Sequence, residues 1–166
     1  MARTFRGESV HKVDGKGRVS IPAAFRRVLE DNDPDWKEGL NPNIVIVYGD
    51  KRRNYLEGFH MVAIEEVDEK ISRLPRGSKS RRLLEKLFNG QSLATQVDET
   101  GRLVLPQKLR DKIGIAGEAF FIATGDTFQI WEPDAYAAHE AEMETWYDDY
   151  DEDFDPLVLL DQPDGG

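Results

Sequence analysis

Two ten-residue stretches of this chain repeat each other. Residues 13–22 read Val-Asp-Gly-Lys-Gly-Arg-Val-Ser-Ile-Pro, and residues 97–106 read Val-Asp-Glu-Thr-Gly-Arg-Leu-Val-Leu-Pro. The offset is 84, and Val, Asp, Gly, Arg and Pro coincide. The match runs on through Phe25/Leu109, Arg26/Arg110 and Leu29/Ile113. It extends backwards, with one residue of slippage, from Phe5-Arg6-Gly7-Glu8-Ser9 to Phe88-Asn89-Gly90-Gln91-Ser92. It extends forwards at offset 76, from Ile46-Val47-Tyr48-Gly49-Asp50 to Ile122-Ala123-Thr124-Gly125-Asp126. Three blocks in one order mean an internal duplication, and every fold for this chain must use the same small plan twice.

Each copy reads as strand, turn, strand, helix, strand. Val10–Val13 and Arg18–Ile21 are short strands around the turn Asp14-Gly15-Lys16-Gly17, where glycine supplies positive φ and Asp bonds its own backbone. Val19 and Ile21 share one face. Pro22 stops the strand and suits a helical first turn, so a helix is expected over Ala23–Leu29, then a strand over Ile44–Tyr48. In the second copy Leu93–Val97, Asp98–Gly101 and Arg102–Leu105 repeat the unit, and a helix from Pro106 ends at Gly114. Ala119–Ala123 and Phe128–Trp131 form a hairpin about Gly125-Asp126. Between the copies Met61–Leu74 is an amphipathic helix. After Pro75-Arg76-Gly77, Ser78 caps another helix, whose Leu83, Leu84, Leu87 and Phe88 form one stripe. Pro133 opens a last helix with Tyr136, His139, Met143 and Trp146 on one face.

The net charge of −10 argues at first against an anionic partner, but its distribution reverses that reading. From Asp134 onward there are twelve acids and no Lys or Arg. Residues 1–30 carry seven basic side chains against three acidic, and residues 70–86 carry seven against one. Residues 148–166, rich in Asp and Pro, are expected as a mobile acidic tail with Leu157–Leu160 as a sticking point. Such a tail would weaken non-specific binding of any polyanion by repulsion. No stretch approaches the ~20 apolar residues of a membrane span. The arginines near the N-terminus have no apolar run behind them, so no signal peptide is expected. The absence of cysteine excludes disulfides, thiolate metal sites and a cysteine nucleophile, and suits a reducing cytoplasm.

The duplicated turn is the sharpest chemical signal. It projects a long Arg from the start of the returning strand, and the Asp four residues earlier can hold the guanidinium by a charge-assisted bond. An Arg so held loses less entropy on meeting a phosphate or a guanine edge. Arg18 and Arg102 are the candidate DNA contacts, with Asp14 and Asp98 behind them. The simpler reading is that each Asp–Arg pair only pins its turn. Arg3, Arg6, Lys12 and Lys16 are expected beside the first turn as phosphate contacts. Thr100 replaces Lys16 in the second copy, so the two turns differ electrostatically. Lys51-Arg52-Arg53 and the Lys70–Lys86 run are further basic candidates. Enzymatic signals are poor. His11, His60 and His139 lack metal-ligand spacing, and neither a nucleophile elbow nor a phosphate loop is present. No metal or cofactor is implied.

Phe5-Arg6-Gly7, Asp14–Ala23 and Asp98–Pro106 together resemble the MraZ family, bacterial regulators of the division and cell-wall gene cluster. The likeness covers about residues 3–147. It implies a β-rich α+β fold in which two modules akin to AbrB and MazE (SpoVT-AbrB modules) sit in one chain as a pseudo-twofold double-split β-barrel with flanking helices. The expected boundaries are 3–87 for the first module, 88–147 for the second and 148–166 for the tail. It also implies a cytoplasmic, nucleoid-associated repressor that forms a ring-like homo-oligomer and binds direct repeats in double-stranded DNA at its own promoter. Arg18 and Arg102 carry over as DNA contacts, Asp14 and Asp98 complete the motif, and Lys16 helps in the first copy only. The rival readings are an antitoxin-like protein neutralising a basic partner, an enzyme using paired carboxylates, and a structural ring protein.

Overall fold

The computed structural model describes residues 3–161, in two compact units, one through Pro133 and one from Asp134. The first unit holds eight strands among its described residues: β1 (Glu8–Lys12), β2 (Arg18–Ser20), β3 (Asn43–Val47), β4 (Tyr55–Phe59), β5 (Ser92–Gln96), β6 (Arg102–Val104), β7 (Glu118–Ala123) and β8 (Thr127–Trp131). Its helices are α1 (Ala23–Asp31), α2 (Met61–Ser72), α3 (Lys79–Glu85) and α4 (Gln107–Ile113), and a π-helical turn, Lys86–Gly90, continues α3. Six strands form an open antiparallel sheet in the order β1-β7-β8-β4-β3-β5, and β2 and β6 form a separate two-stranded ribbon.

The sheet order reads the same from either end once the copies are exchanged. The first strand of each copy pairs with the hairpin of the other: β1 lies on β7, and β5 lies on β3. At the centre β4 and β8 pair about Glu57 opposite Gln129. The two copies are thus woven together rather than placed side by side.

The ladders also correct the repeat alignment. Val47 faces Ser92, and Ile122 faces Glu8, so within this strand the copies match at offset 75 and not 76. A one-residue slip moves a side chain to the other face of a sheet. Ile46 and Phe121, equivalent at offset 75, are both fully buried. The extra residue is absorbed in the loop before Gly49 and Gly125.

One face of the sheet and the inner face of the ribbon enclose the main core. Phe5, Phe25 and Phe128 sit at its middle, with ring centroids 5.0–5.2 Å apart. Such edge and tilted pairs add about 0.5–1.5 kcal/mol beyond area burial. Gly58 lies over Phe128, and a Cβ there would come within 2.5 Å of the ring. On the opposite face α2 lays Ala63 and Ile64 against Val45, Val47 and Phe59. Phe88, matched in sequence with Phe5, packs edge-on against Phe59 in this second cluster, so the repeat does not place the two rings alike.

β4 is absent from the sequence expectation, because Glu57 and Gly58 interrupt its apolar pattern. Leu83 differs in exposure from the rest of its stripe. It is 57% exposed, while Leu84, Leu87 and Phe88 are half-buried. The helix α3 turns Arg81 inward instead, where its guanidinium donates to the carbonyls of Leu74 and Ser72 and pairs with Glu85.

The second unit begins in α5 (Pro133–Glu144) and continues as 3-10 turns at Thr145–Asp149 and Pro156–Asp161. Residues 148–166 are expected from sequence as a mobile acidic tail; within their described part Tyr150 stacks on Phe154 at 3.9 Å and 8°. Residues 162–166 lie outside the described residues. Tyr136 is buried, as expected of the helix face, whereas Met143 and Trp146 are exposed.

Candidate nucleic-acid interface

The two Asp-x-x-Gly-Arg turns share one backbone geometry. In the first, the Asp14 N–H donates to the Arg18 carbonyl at 3.1 Å and the Gly17 N–H to the Asp14 carbonyl at 2.9 Å. In the second, Asp98 and Gly101 make the same bonds at 2.9 and 3.0 Å. Gly17 and Gly101 close these turns at φ +84° and +81°, a region that L side chains avoid. Each carboxylate then collects two backbone N–H groups at 2.9 Å, from Lys16 and Arg18 on Asp14 Oδ1 and from Thr100 and Arg102 on Asp98 Oδ1.

The side chains separate the copies. Arg18 Nε donates directly to Asp14 Oδ2 at 2.7 Å. Arg102 Nε donates to Thr100 Oγ1 at 2.9 Å, and that hydroxyl donates to Asp98 Oδ1 at 2.8 Å. The second guanidinium is therefore held through a hydroxyl relay, with its own carboxylate 3.4 Å away. In the sequence Thr100 stands only as a cation lost relative to Lys16; its relay role follows from geometry alone. The N–H of Arg18, followed by its guanidinium, draws the Asp14 carboxyl down to about 2. The N–H of Arg102 and the Thr100 groups hold Asp98 below the usual carboxylate range. Both acids stay ionised across the physiological range.

The ribbon fixes where the arginines point. Arg18 faces Val104, Val19 faces Leu103, and Ser20 faces Arg102. Val19 and Leu103 are buried, so alternation puts Arg18, Ser20, Arg102 and Val104 together on the outward face. The two arginines stand on a diagonal, about 8 Å apart at Cα from ordinary strand spacings. In both, Nε is engaged and no hydrogen bond from the terminal nitrogens is found among the described residues. The paired nitrogens of each fork are free to meet an acceptor.

Cross-copy bonds brace the ribbon. Leu105 N–H donates to the Gly17 carbonyl at 2.8 Å, and Ile21 N–H to the Gly101 carbonyl at 3.0 Å. Arg26 on α1 reaches across to the Asp98 carbonyl while its Nε pairs with Glu30 at 3.1 Å. Its repeat partner Arg110 donates to the Leu105 carbonyl at 2.8 Å and lies beside Gly17. Neither was singled out as a site residue from the sequence, although their coincidence in the repeat was the available signal.

Not every expected cation joins the site. Lys12 and Lys16 are exposed at the first turn. Arg3 and Arg6 are not there. They precede β1, whose far end leads into Asp14 after roughly 20 Å of extended chain from Glu8. Arg3 is ion-paired with Glu66 of α2 at 2.6 Å, and Phe5 N–H is bonded to Gly125. Arg53 is spent on Asp50 and Glu57. The histidines are dispersed: His11 shares a bond with Ser9, and buried His60 caps α2. No group of three or more His, Asp or Glu that could hold a metal occurs among the described residues. No helix among them is long and apolar enough to cross a membrane.

Comparison with known families agrees with the two-module reading. The family model described as "MraZ protein, putative antitoxin-like" matches residues 4–87 and again residues 88–153. A transcriptional regulator MraZ of Ruegeria sp. (strain TM1040) is 67% identical over 162 residues, covering 97% of both chains. Its namesake in Ruegeria pomeroyi is 64% identical over the same coverage. One in Cereibacter sphaeroides (strain ATCC 17025) is 45% identical over 151 residues, 87% of this chain and 89% of its own. With two modules matched, and relatives covered nearly end to end, this chain belongs to the MraZ family.

Proposed function

We propose that this protein is a transcriptional regulator that binds double-stranded DNA through the β2–β6 ribbon. The observation that carries the reading is the diagonal pair, Arg18 and Arg102, on one outward face with their terminal nitrogens unengaged. A two-stranded ribbon fits the major groove, and an arginine fork presents two donors to guanine O6 and N7 or to a phosphate. Asp14, Asp98 and Thr100 orient the forks rather than touch DNA. Lys16 adds a phosphate contact at the first turn only. Arg3 and Arg6 take no part in this interface.

The remaining parts of the reading are finer. The exchange-symmetric strand order supports a pseudo-twofold, with sheet and ribbon closing as a double-split barrel. Family membership supports repression at a promoter of direct repeats upstream of the protein's own division and cell-wall gene cluster. It also supports a ring-like homo-oligomer associated with the nucleoid in the cytoplasm. No cofactor enters the mechanism.

Fluorescence anisotropy on duplex from upstream of its own gene, with scrambled duplex as control, tests the proposal. Arg18→Ala and Arg102→Ala should each cost about 1–3 kcal/mol if they read base edges, with loss of sequence preference. If they meet phosphates, the slope of log K against log salt should instead flatten by about 1 for each. Equal binding by the parent and the folded double variant would make the turns purely structural. A second reading, an antitoxin-like protein, is favoured by the family description and the acidic C-terminal unit. Co-purification of a small basic protein would support it.

A further inference from the structure

Two surfaces of this chain are not part of the β2–β6 ribbon and complement each other. The first is the outer face of α3. Lys79, Arg82 and Leu83 of α3 and Lys86, the helical residue that caps it, fall at spacings of three and four, so they share one face. The three cations are exposed, and none of them forms an ion pair among the described residues. At their centre stands Leu83, 57% exposed. A phosphate backbone would use the cations but not a leucine in their midst.

The second surface is in the C-terminal unit. A groove of about 320 Å³ opens there, walled by Met143, Trp146, Tyr147 and Phe154. Glu140 and Glu144 line it, one helical turn apart on α5. Trp146 is 55% exposed. From Asp134 onward the sequence has no Lys or Arg, so no cation of its own unit neutralises this rim. Apolar surface ringed by charges of one sign marks an interaction site, and its partner must offer an apolar knob ringed by the opposite sign. The outer face of α3 does so.

We propose that the acidic aromatic groove of the C-terminal unit seats the Leu83 face of α3 from a second copy of the chain. Leu83 enters between Trp146 and Met143, and Lys79, Arg82 and Lys86 meet Glu140, Glu144 and the acids that follow. The contact joins unlike surfaces, so, unless one pair of molecules exchanges both contacts, each molecule keeps one free groove and one free α3. Such a head-to-tail contact propagates, closing into a ring or running on as a filament. The inference rests on the self-assembly reading above and names the surfaces that carry it.

The test is the mass of the full chain in solution by sedimentation velocity. Leu83→Asp removes the knob and Trp146→Asp poisons the groove. Both residues are exposed, so circular dichroism should report parent-like folding. Each variant alone should run as a monomer where the parent is assembled. Mixed one to one, they retain a single intact contact, between the groove of the first and the α3 of the second. The mixture should give a dimer that grows no further. Arg82→Glu should weaken assembly, and Arg82→Glu with Glu144→Arg in one chain should restore it. A parent that is monomeric sinks the self-assembly reading itself. A parent that assembles beside variants that assemble equally well, or a mixture that stays monomeric, sinks only this interface. Loss of DNA affinity by Leu83→Asp with assembly intact would assign the face to nucleic acid and overturn the inference.

Discussion

The glycines that close the two turns share a positive φ but not an environment. A Cβ on Gly17 would stand 2.2 Å from the Leu105 carbonyl oxygen and 2.9 Å from Arg110 Nε, whereas one on Gly101 would meet nothing within 4 Å. Gly101→Ala should therefore cost only the left-handed backbone, about 1–2 kcal/mol. Gly17→Ala must also part the ribbon from the first turn and should cost more. Thermal or urea unfolding of the two variants checks the order; equal losses would mean that the turn-to-Leu105 contact yields easily. Thr100 offers a second test at this scale. Thr100→Lys removes the hydroxyl between Arg102 and Asp98 and makes the second turn chemically like the first. With a cation added at the DNA face, affinity should rise and the salt slope should steepen by about 1. An unchanged slope would place the second turn away from the phosphates.

Among the elements, α2 depends on one neutral imidazole. His60 Nδ1 accepts the Ala63 N–H at 3.0 Å, so Nε2 carries the proton and donates to the Arg3 carbonyl at 3.1 Å. Burial lowers its pKa below the ordinary value near 6.5. The unfolded chain then takes up protons first, so the stability His60 provides is complete above about pH 6.5 and is lost as pH falls toward the folded pKa. His11, lowered by burial as well, adds to the same slope. Urea midpoints should decline on acidification through this window. His60→Asn, which can still cap a helix, should flatten part of that decline; an unaltered curve would assign the acid sensitivity elsewhere. The elements also divide by how far the sequence revealed them. Both turns, α1, α4 and the β7–β8 hairpin were legible, because local chemistry decides them: positive-φ glycines, proline at helix starts and period-two alternation. β4 was hidden by Glu57, which bonds Thr127, and by Gly58, which is small only to admit Phe128. The exposure of Leu83 was not legible, because it keeps helical spacing with half-buried neighbours. The inward turn of Arg81 was set by carbonyls of Leu74 and Ser72 that no pattern announces.

At the scale of the whole molecule the duplication was plain in sequence but the weave was not. Strands of three to six residues carry too little pattern to name their partners, and β1 finds its partner in β7, more than a hundred residues on. The consequence is physical. In the sheet, β1 rests on the second copy's hairpin and β5 on the first copy's, while β2 pairs with β6. Phe5 and Phe25 of the first copy close their cluster on Phe128 of the second. A lone copy would leave those rings in water and two strand edges unpaired, and deleting one buried Phe side chain of this kind costs about 3–5 kcal/mol. That is comparable to the whole stability of a domain, about 5–15 kcal/mol. Residues 1–87 expressed alone should therefore not fold as a monomer. They should be unfolded, or pair with a second molecule that supplies the missing strands. Addition of residues 88–166 should restore cooperative unfolding, read by circular dichroism across a titration that saturates at one to one. A monomeric 1–87 fragment with a sharp unfolding transition would show that one copy buries its own core, and that the exchange of strands is a consequence of linking the copies rather than the condition for folding.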